Sequence, residues 1–285
     1  MSPACGQGRA LALRRRLLDN MMTSVADLTT YLIDLDGVVY RGDALLPGGQ
    51  EFVRWLDEHN KKYLFLTNNS YSSRLGVVEK LQNLGIPTDA SHVLIAADAA
   101  VNNIAHRFPR ARVYVIGEPP LFDLVRARDL IVTNDDPAST DVVLVGLDRT
   151  FDFKKLNDAV MAVRRGATFI AINRDATLPI AGGYVAGCGA MVAAIEASGR
   201  VTPEVIGKPE PTLLQEGMLL LQSRPEETVM VGDSLAIDIL AGQSAGTQTL
   251  LVLSGNDTRA SLAKSEIKPT YVYEDLATLM GEIAG

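Results

Sequence analysis

The stretch Tyr31-Leu32-Ile33-Asp34-Leu35-Asp36-Gly37-Val38-Val39-Tyr40 decides the fold. It reads as a buried strand that runs straight into two carboxylates two residues apart, with Gly37 permitting a sharp turn after them. Open α/β sheets bind ligands beyond the carboxyl ends of their strands, so acids at that point suggest a site as well as a strand. Like charges this close repel, and the pair invites a cation or a raised pKa. The plainer reading is a solvated turn, where Asp and Gly are common. Asp-x-Asp-Gly alone is a weak signal, and the turn reading has at least equal weight.

On either side of this strand, apolar runs of strand length alternate with segments of helical period, the signature of an α/β protein with a mainly parallel sheet. Phe52, Val53 and Leu56 mark a helix face, Tyr63 to Leu66 a second strand, and Leu75, Val78 and Leu81 the next helix, closed by Gly85 before Pro87. The same grammar returns near the other end, with Val229 to Val231 as strand, Leu235 to Ser244 as helix and Thr249 to Val252 as strand. Both ends read as parts of one sheet. The middle has its own alternation, with strands at 113–116, 142–145 and 169–172 and helices around 121–126 and 156–165, while a helix over 190–197 fits either side. Pro109 and the Gly182-Gly183 pair punctuate it. The expected organisation is a discontinuous core of residues 23–107 and 204–285, an α/β insert over 108–203, and a loose N-terminal tail over 1–22.

Composition narrows the function classes. The 285 residues carry 27 Lys+Arg against 34 Asp+Glu, a net charge of −7, which disfavours nucleic acid and anionic lipid as partners. With 47% hydrophobic and 21% charged residues the balance is globular, and no apolar run approaches the roughly 20 residues that span a bilayer. Cys5 and Cys188 cannot build a disulfide framework, so a reducing, cytoplasmic setting is expected. Arg14-Arg15-Arg16 follows the early apolar stretch, whereas a signal peptide carries its charges before one.

Three further segments bear on chemistry. Thr67-Asn68-Asn69-Ser70 follows the second strand and offers hydroxyl, amide and backbone N–H donors suited to phosphate oxygens, or simply a helix N-cap from Ser70 or Ser72. Gly207-Lys208-Pro209 sets a lysine between two backbone punctuators; alone it reads as a surface charge, in company as a partner for phosphate or for a carboxylate. Gly232-Asp233-Ser234 opens a helix whose first turn holds Asp238, where acids also suit the helix dipole. Asp34, Asp36, Asp233 and Asp238 together would crowd four negative charges, and such a cluster calls for a cation. Hard oxygen donors without His or Cys point to Mg²⁺ rather than zinc. In that setting Asp34 reads as a nucleophile toward phosphorus, with Asp36 donating to the leaving oxygen and then activating water.

Asp34-x-Asp36-Gly, Thr67-Asn-Asn-Ser, Gly-Lys208-Pro and Gly-Asp233-x4-Asp238 occur in the order of the four motifs of the haloacid dehalogenase superfamily of phosphohydrolases, which the chain resembles from about Leu28 onward. The insert, with Val145-Gly146-Leu147-Asp148-Arg149, Asn173-Arg174-Asp175 and Gly187-Cys188-Gly189-Ala190, resembles the C2-type cap of the subfamily IIA branch of 4-nitrophenyl, nucleotide and pyridoxal phosphate phosphatases. The resemblance implies a Rossmann-like core, a Mg²⁺-dependent phosphatase acting on a phosphorylated small molecule through a phospho-aspartate on Asp34, and Asp36 as acid/base. It further implies Mg²⁺ on Asp34, the Asp36 carbonyl and Asp233, phosphate or substrate on Thr67, Asn68 and Lys208, Asp238 as a further ligand or a support behind one, and a homodimer. Ile237 stands where the family often has Thr, and Ala186-Gly187 where it has Pro-Gly. Asp148, Asn173 and Asp175 read first as turn residues and second as entrance residues. Cys188 lacks a neighbouring charge that would lower its pKa, and His59, His92 and His106 lack metal spacing. A dehalogenase needs neither Asp36 nor a metal site, and a phospho-acceptor signalling domain has no such insert.

Overall fold

The computed structural model describes residues 24–180 and 183–284. The expected tail over 1–22 therefore lies outside the described residues, as does Gly182. From the N-terminal side the chain forms β1 (Thr30–Asp34), a short antiparallel pair β2 (Tyr40–Arg41) and β3 (Ala44–Leu45), α1 (Gly49–Glu58), β4 (Lys62–Thr67), α2 (Arg74–Asn83), β5 (Val93–Ile95) and α3 (Ala96–Arg107). Next come β6 (Arg112–Ile116), α4 (Pro119–Arg126), β7 (Ile131–Val132), β8 (Val142–Val145), α5 (Phe153–Arg164), β9 (Thr168–Ala171), the hairpin β10 (Thr177–Ile180) and β11 (Gly183–Ala186), α6 (Cys188–Gly199) and β12 (Glu204–Val205). The chain ends through α7 (Thr212–Leu221), β13 (Thr228–Gly232), α8 (Leu240–Ala245), β14 (Gln248–Val252), α9 (Arg259–Lys264), β15 (Tyr271–Tyr273) and α10 (Leu276–Ile283).

Two parallel sheets result. The first has the order β15-β14-β13-β1-β4-β5, so both ends of the chain do share one sheet. Thr30 to Ile33 and all of β13 are buried, as strands covered on both faces must be, which is why they read as unbroken apolar runs. From β1 the chain winds outward through β4 to β5, then returns on the other side through β13, β14 and β15. The reversal puts a topological switch point at the carboxyl ends of β13, β1 and β4. The second sheet, β12-β9-β8-β6-β7, is built from residues 112–205, its last strand falling just past the expected boundary at 203.

One apolar cluster runs from β1 through α3 to Val113, Val142, Leu144 and Ile170 of the second sheet. Helix α3 can bridge the two because it is buried nearly all round, with Ala96, Ala97, Asp98, Ala99, Ala100, Val101 and Ile104 inside. Where the chain crosses between sheets, Arg107 and Glu204 close a fork, Nη2 standing 3.0 Å from Oε1. No helix among the described residues is long and apolar enough to cross a membrane.

Two local expectations change. The α2 helix is present, but Val77, Val78 and Leu81 form its buried face while Leu75 is 69% exposed. The single helix expected over 235–244 opens instead with a π turn, Leu235–Ile239, before α8, and this wider turn keeps Asp238 buried against the preceding loop. The two leucines should therefore differ sharply. Leu32→Ala, under α7 in the sheet centre, should cost about 2–5 kcal/mol in urea unfolding, and Leu75→Ala should stay within about 0.5 kcal/mol. Equal losses would show that the α2 face is misread.

Candidate active site

Each strand of the switch point delivers one part of the site. Asp34 ends β1, Thr67 ends β4, and Asp233 follows β13. Carboxylate oxygens of Asp34, Asp233 and Asp238 lie within 4.8 Å of one another. Asp36 is not the fourth member of that group: the strand ends at Asp34, the chain turns, and the Asp36 side chain is solvent-exposed. The crowding inferred for four acids is thus a crowding of three. Gly37 makes this turn possible at φ +83°, and a Cβ there would stand 2.2 Å from Asp233 Oδ2.

Lys208 reaches into the group from the loop after β12. Its ammonium, on a residue only 2% exposed, donates to Asp34 Oδ1 and, at 2.7 Å, to Asp238 Oδ1. Asp238 Oδ2 accepts the backbone N–H groups of Asp233 (3.2 Å) and Ser234 (3.1 Å), so that carboxylate ties lysine and turn together. Asp233 Oδ2 accepts the Asn256 N–H at 2.6 Å. Burial pushes Asp34 up to about 8 against the pull of Lys208, and burial with the nearby Asp238 pushes Asp233 up to about 7. Burial would draw Lys208 down, yet Asp238 and Asp34 outweigh it and hold the ammonium above its ordinary value. Partial desolvation also raises Asp36, opposed by Lys80 and Arg41.

Thr67 Oγ1 accepts the Asn69 N–H at 3.3 Å, which leaves its hydroxyl hydrogen for another acceptor. Asn68 is the expected phosphate residue whose side chain lies elsewhere: Oδ1 accepts the Lys208 N–H and Nδ2 donates to the Lys208 carbonyl, both at 2.8 Å. Neither Ser70 nor Ser72 caps α2. Ser73 does, accepting the Gly76 N–H at 3.1 Å, while Ser70 Oγ accepts the Leu147 N–H at 3.2 Å across the two sheets.

In the insert, Asp148 serves its own loop, accepting from Thr150 and pairing with Lys155 at 2.7 Å. Asn173 instead donates to the Asn68 carbonyl at 2.6 Å, a contact its turn reading does not foresee. Burial raises Asp175, opposed by Lys208, and burial pushes the Cys188 thiol up to about 12, which makes it inert rather than reactive. Sequence reasoning missed the loop Ser254-Gly255-Asn256-Asp257. Its contacts include Asn256 on Asp233, Asp257 Oδ2 on the Leu235 N–H (2.7 Å) and Ser254 Oγ on the Gly37 carbonyl (2.8 Å). Its place after β14, beyond a carboxyl strand end, was the available signal.

Residues 31–131 match the family model of haloacid dehalogenase-like hydrolases and residues 205–279 that of HAD-hydrolase-like proteins. An acid sugar phosphatase of Staphylococcus saprophyticus is 35% identical over 253 residues, 89% of this chain and 97% of that protein. The chain belongs to the haloacid dehalogenase-like hydrolases. Among solved structures, a 4-nitrophenylphosphatase of Thermotoga maritima superposes on this hydrolase with a TM-score of 0.85 at 33% identity, covering 90% of this chain and 98% of its own. NagD of E. coli does so at 0.82 with 29% identity, covering 88% and 97%.

The donor set of this hydrolase fits a hard divalent cation: carboxylate oxygens only, three negative charges and one ammonium, without a nitrogen or sulfur ligand. Asp238 already accepts three hydrogen bonds, so Asp34 and Asp233 are the better ligands. Both folded-state pKa values lie above the ordinary 3.8, so the folded chain holds more protons than the unfolded one between 3.8 and about 8. Stability contributed by these groups then falls as pH rises through that window. The metal-free protein should melt at a higher temperature at pH 6 than at pH 8. Mg²⁺ should raise the melting temperature more at pH 8, and Asp233→Asn should weaken both effects. Equal Mg²⁺ shifts at the two pH values would contradict the coupling of cation and proton.

Proposed function

We propose that the chain is a Mg²⁺-dependent phosphatase of small phosphate monoesters that works through a phospho-aspartate on Asp34. The observation that carries this reading is the Lys208 ammonium fixed between Asp34 and Asp238 with Asp233 alongside, at the switch point of a parallel sheet. Asp34, Asp233 and the Asp36 carbonyl would hold the ion, which when bound supplies positive charge against phosphate oxygens. Lys208 adds a second positive charge there, and the Thr67 hydroxyl and the Asn68 backbone N–H donate to phosphate oxygens.

In the first step the Asp34 carboxylate forms a bond to phosphorus as the ester P–O bond breaks, and the leaving oxygen takes the proton of the Asp36 carboxyl. A raised Asp36 pKa favours that protonated start. In the second step Asp36, now a carboxylate, takes a proton from water, which attacks phosphorus, releasing inorganic phosphate and restoring Asp34. Residues 108–203 act as the cap that keeps bulk water from the phospho-aspartate. The names of the relatives, acid sugar phosphatase and 4-nitrophenylphosphatase, support a phosphorylated small molecule as substrate. A cytoplasmic setting belongs to the same reading, supported by a chain with only Cys5 and Cys188.

Asp34→Asn should lower Mg²⁺-dependent hydrolysis of 4-nitrophenyl phosphate by at least about 10³-fold while the far-ultraviolet circular dichroism is unchanged. Undiminished turnover would refute the nucleophile assignment, and a phosphoprotein that persists without turnover would favour a phospho-acceptor domain. The family resemblance also supports a homodimer. Light scattering should then return twice the 30.6 kDa of a single chain, and the monomer mass would refute it.

A further inference from the structure

Thr67 and Asn68 adjoin in sequence, but their side chains face different work. The Asn68 amide meets the backbone of Lys208 at both of its polar groups, 2.8 Å from the N–H and 2.8 Å from the carbonyl. A side-chain amide carries one acceptor and one donor group in the geometry of a peptide unit, so it pairs with that residue as a neighbouring strand would. Turning the amide toward a phosphate would strand both backbone groups of a residue that is 2% exposed, and each would bear its full desolvation cost. Gly207 permits the approach. A Cβ on it would lie 2.6 Å from Asn68 Oδ1 and 2.7 Å from the Ile172 carbonyl, which accepts the Gly207 N–H at 2.8 Å.

The contacts continue into the second sheet. Asn173, 4% exposed, donates from Nδ2 to the Asn68 carbonyl at 2.6 Å, and its own Oδ1 is held by the Asp175 N–H at 3.1 Å. An unbroken chain of hydrogen bonds therefore leads from the loop after β9, through Asn68, to the backbone whose side chain ends between Asp34 and Asp238.

We propose that Asn68 is a positioning residue, and that with Asn173 it makes the location of the Lys208 ammonium depend on the seating of the second sheet against the 67–73 loop. The role rests on the phosphatase reading for its effect on turnover, and on the geometry alone for its effect on Lys208. A lysine has four rotatable side-chain bonds, so its head is placed reproducibly only if its backbone is held. Misplacement of a catalytic charge by about 1 Å can cost about 100-fold in rate.

The test uses the full-length protein with Mg²⁺ and 4-nitrophenyl phosphate. Asn68→Ala should lower kcat/KM by about 100-fold, mainly in kcat, and Asn173→Ala by up to about tenfold. In a Lys208→Gln background Asn68→Ala should cost little more, because the residue it positions is gone. A full additive loss would mean that Asn68 meets the phosphate itself and would overturn the proposal. Asn68→Ser, which keeps an acceptor but cannot grip the Lys208 carbonyl, serves if the alanine variant fails to fold and should show an intermediate loss. A crystal structure of either Asn68 variant decides independently of activity. Lys208 Nζ displaced from Asp34 or Asp238 is the expected result, and Nζ still bonded to both would overturn the proposal. Wild-type protein that hydrolyses no phosphate ester would refute the phosphatase reading and leave the crystallographic result to decide the role of Asn68.

Discussion

A buried ammonium is costly unless carboxylates meet it, and a buried carboxylate is costly unless a cation meets it. Lys208 satisfies both conditions between Asp34 and Asp238. Delete the lysine and two carboxylates are left facing each other in a desolvated pocket. Keep it, and one base still faces three acids, whose burial and mutual repulsion push Asp34 and Asp233 up, eased by backbone donors from the turn after β13 and from Asn256. The centre of the molecule is therefore stable enough to form and still short of positive charge. A divalent cation is the natural complement to that shortfall.

The fold explains why these groups meet. Asp34 and Asp233 come from chain segments some two hundred residues apart in a protein of ordinary domain sizes, yet β1 and β13 are neighbours in the sheet. Only a strand order that reverses direction at β1 brings loops from both halves of the chain to one spot. The second sheet enters the chain between the second and third of these loops. Its first crossing passes through α3 and its second leads directly to Lys208, so the lysine sits on the connection between sheets. That location is why Asn173, a residue of the second sheet's loop, lies two hydrogen bonds from the charge cluster.

Much of this was legible in the sequence because buried parallel strands announce themselves as short apolar runs followed by polar punctuation. The strands at Thr30, Lys62, Arg112, Val142, Thr168, Thr228 and Gln248 all do so. The two- and three-residue strands β2, β3, β5, β7, β12 and β15 carry too few residues for any period, and α3 is buried on too many sides to show a stripe. At the site, residue type marked the charged groups correctly as a cluster, since Asp and Lys have few uses once buried. It did not foresee that the Asp36 side chain leaves the cluster when the strand ends, nor that the Asn68 amide pairs with the Lys208 backbone. An amide donates and accepts equally well to phosphate or to backbone, and only the folded geometry decides which partner it has.

The raised pKa of Asp34 sharpens what the surrounding charge must do. Burial pushes the Asp34 carboxyl up, and the protonated form that this favours is a poor nucleophile. Lys208 alone does not restore the ordinary value, because Asp238 and Asp233 work against it. Additional positive charge beside Asp34 and Asp233 would lower both. Stability and ionisation are thus controlled by the same imbalance: protons and cations compete to neutralise the three acids, and a cation favours the ionised form of Asp34. The overall charge of −7 says little about the substrate, since the part of it that matters is concentrated where a phosphate must be met by local positive charge.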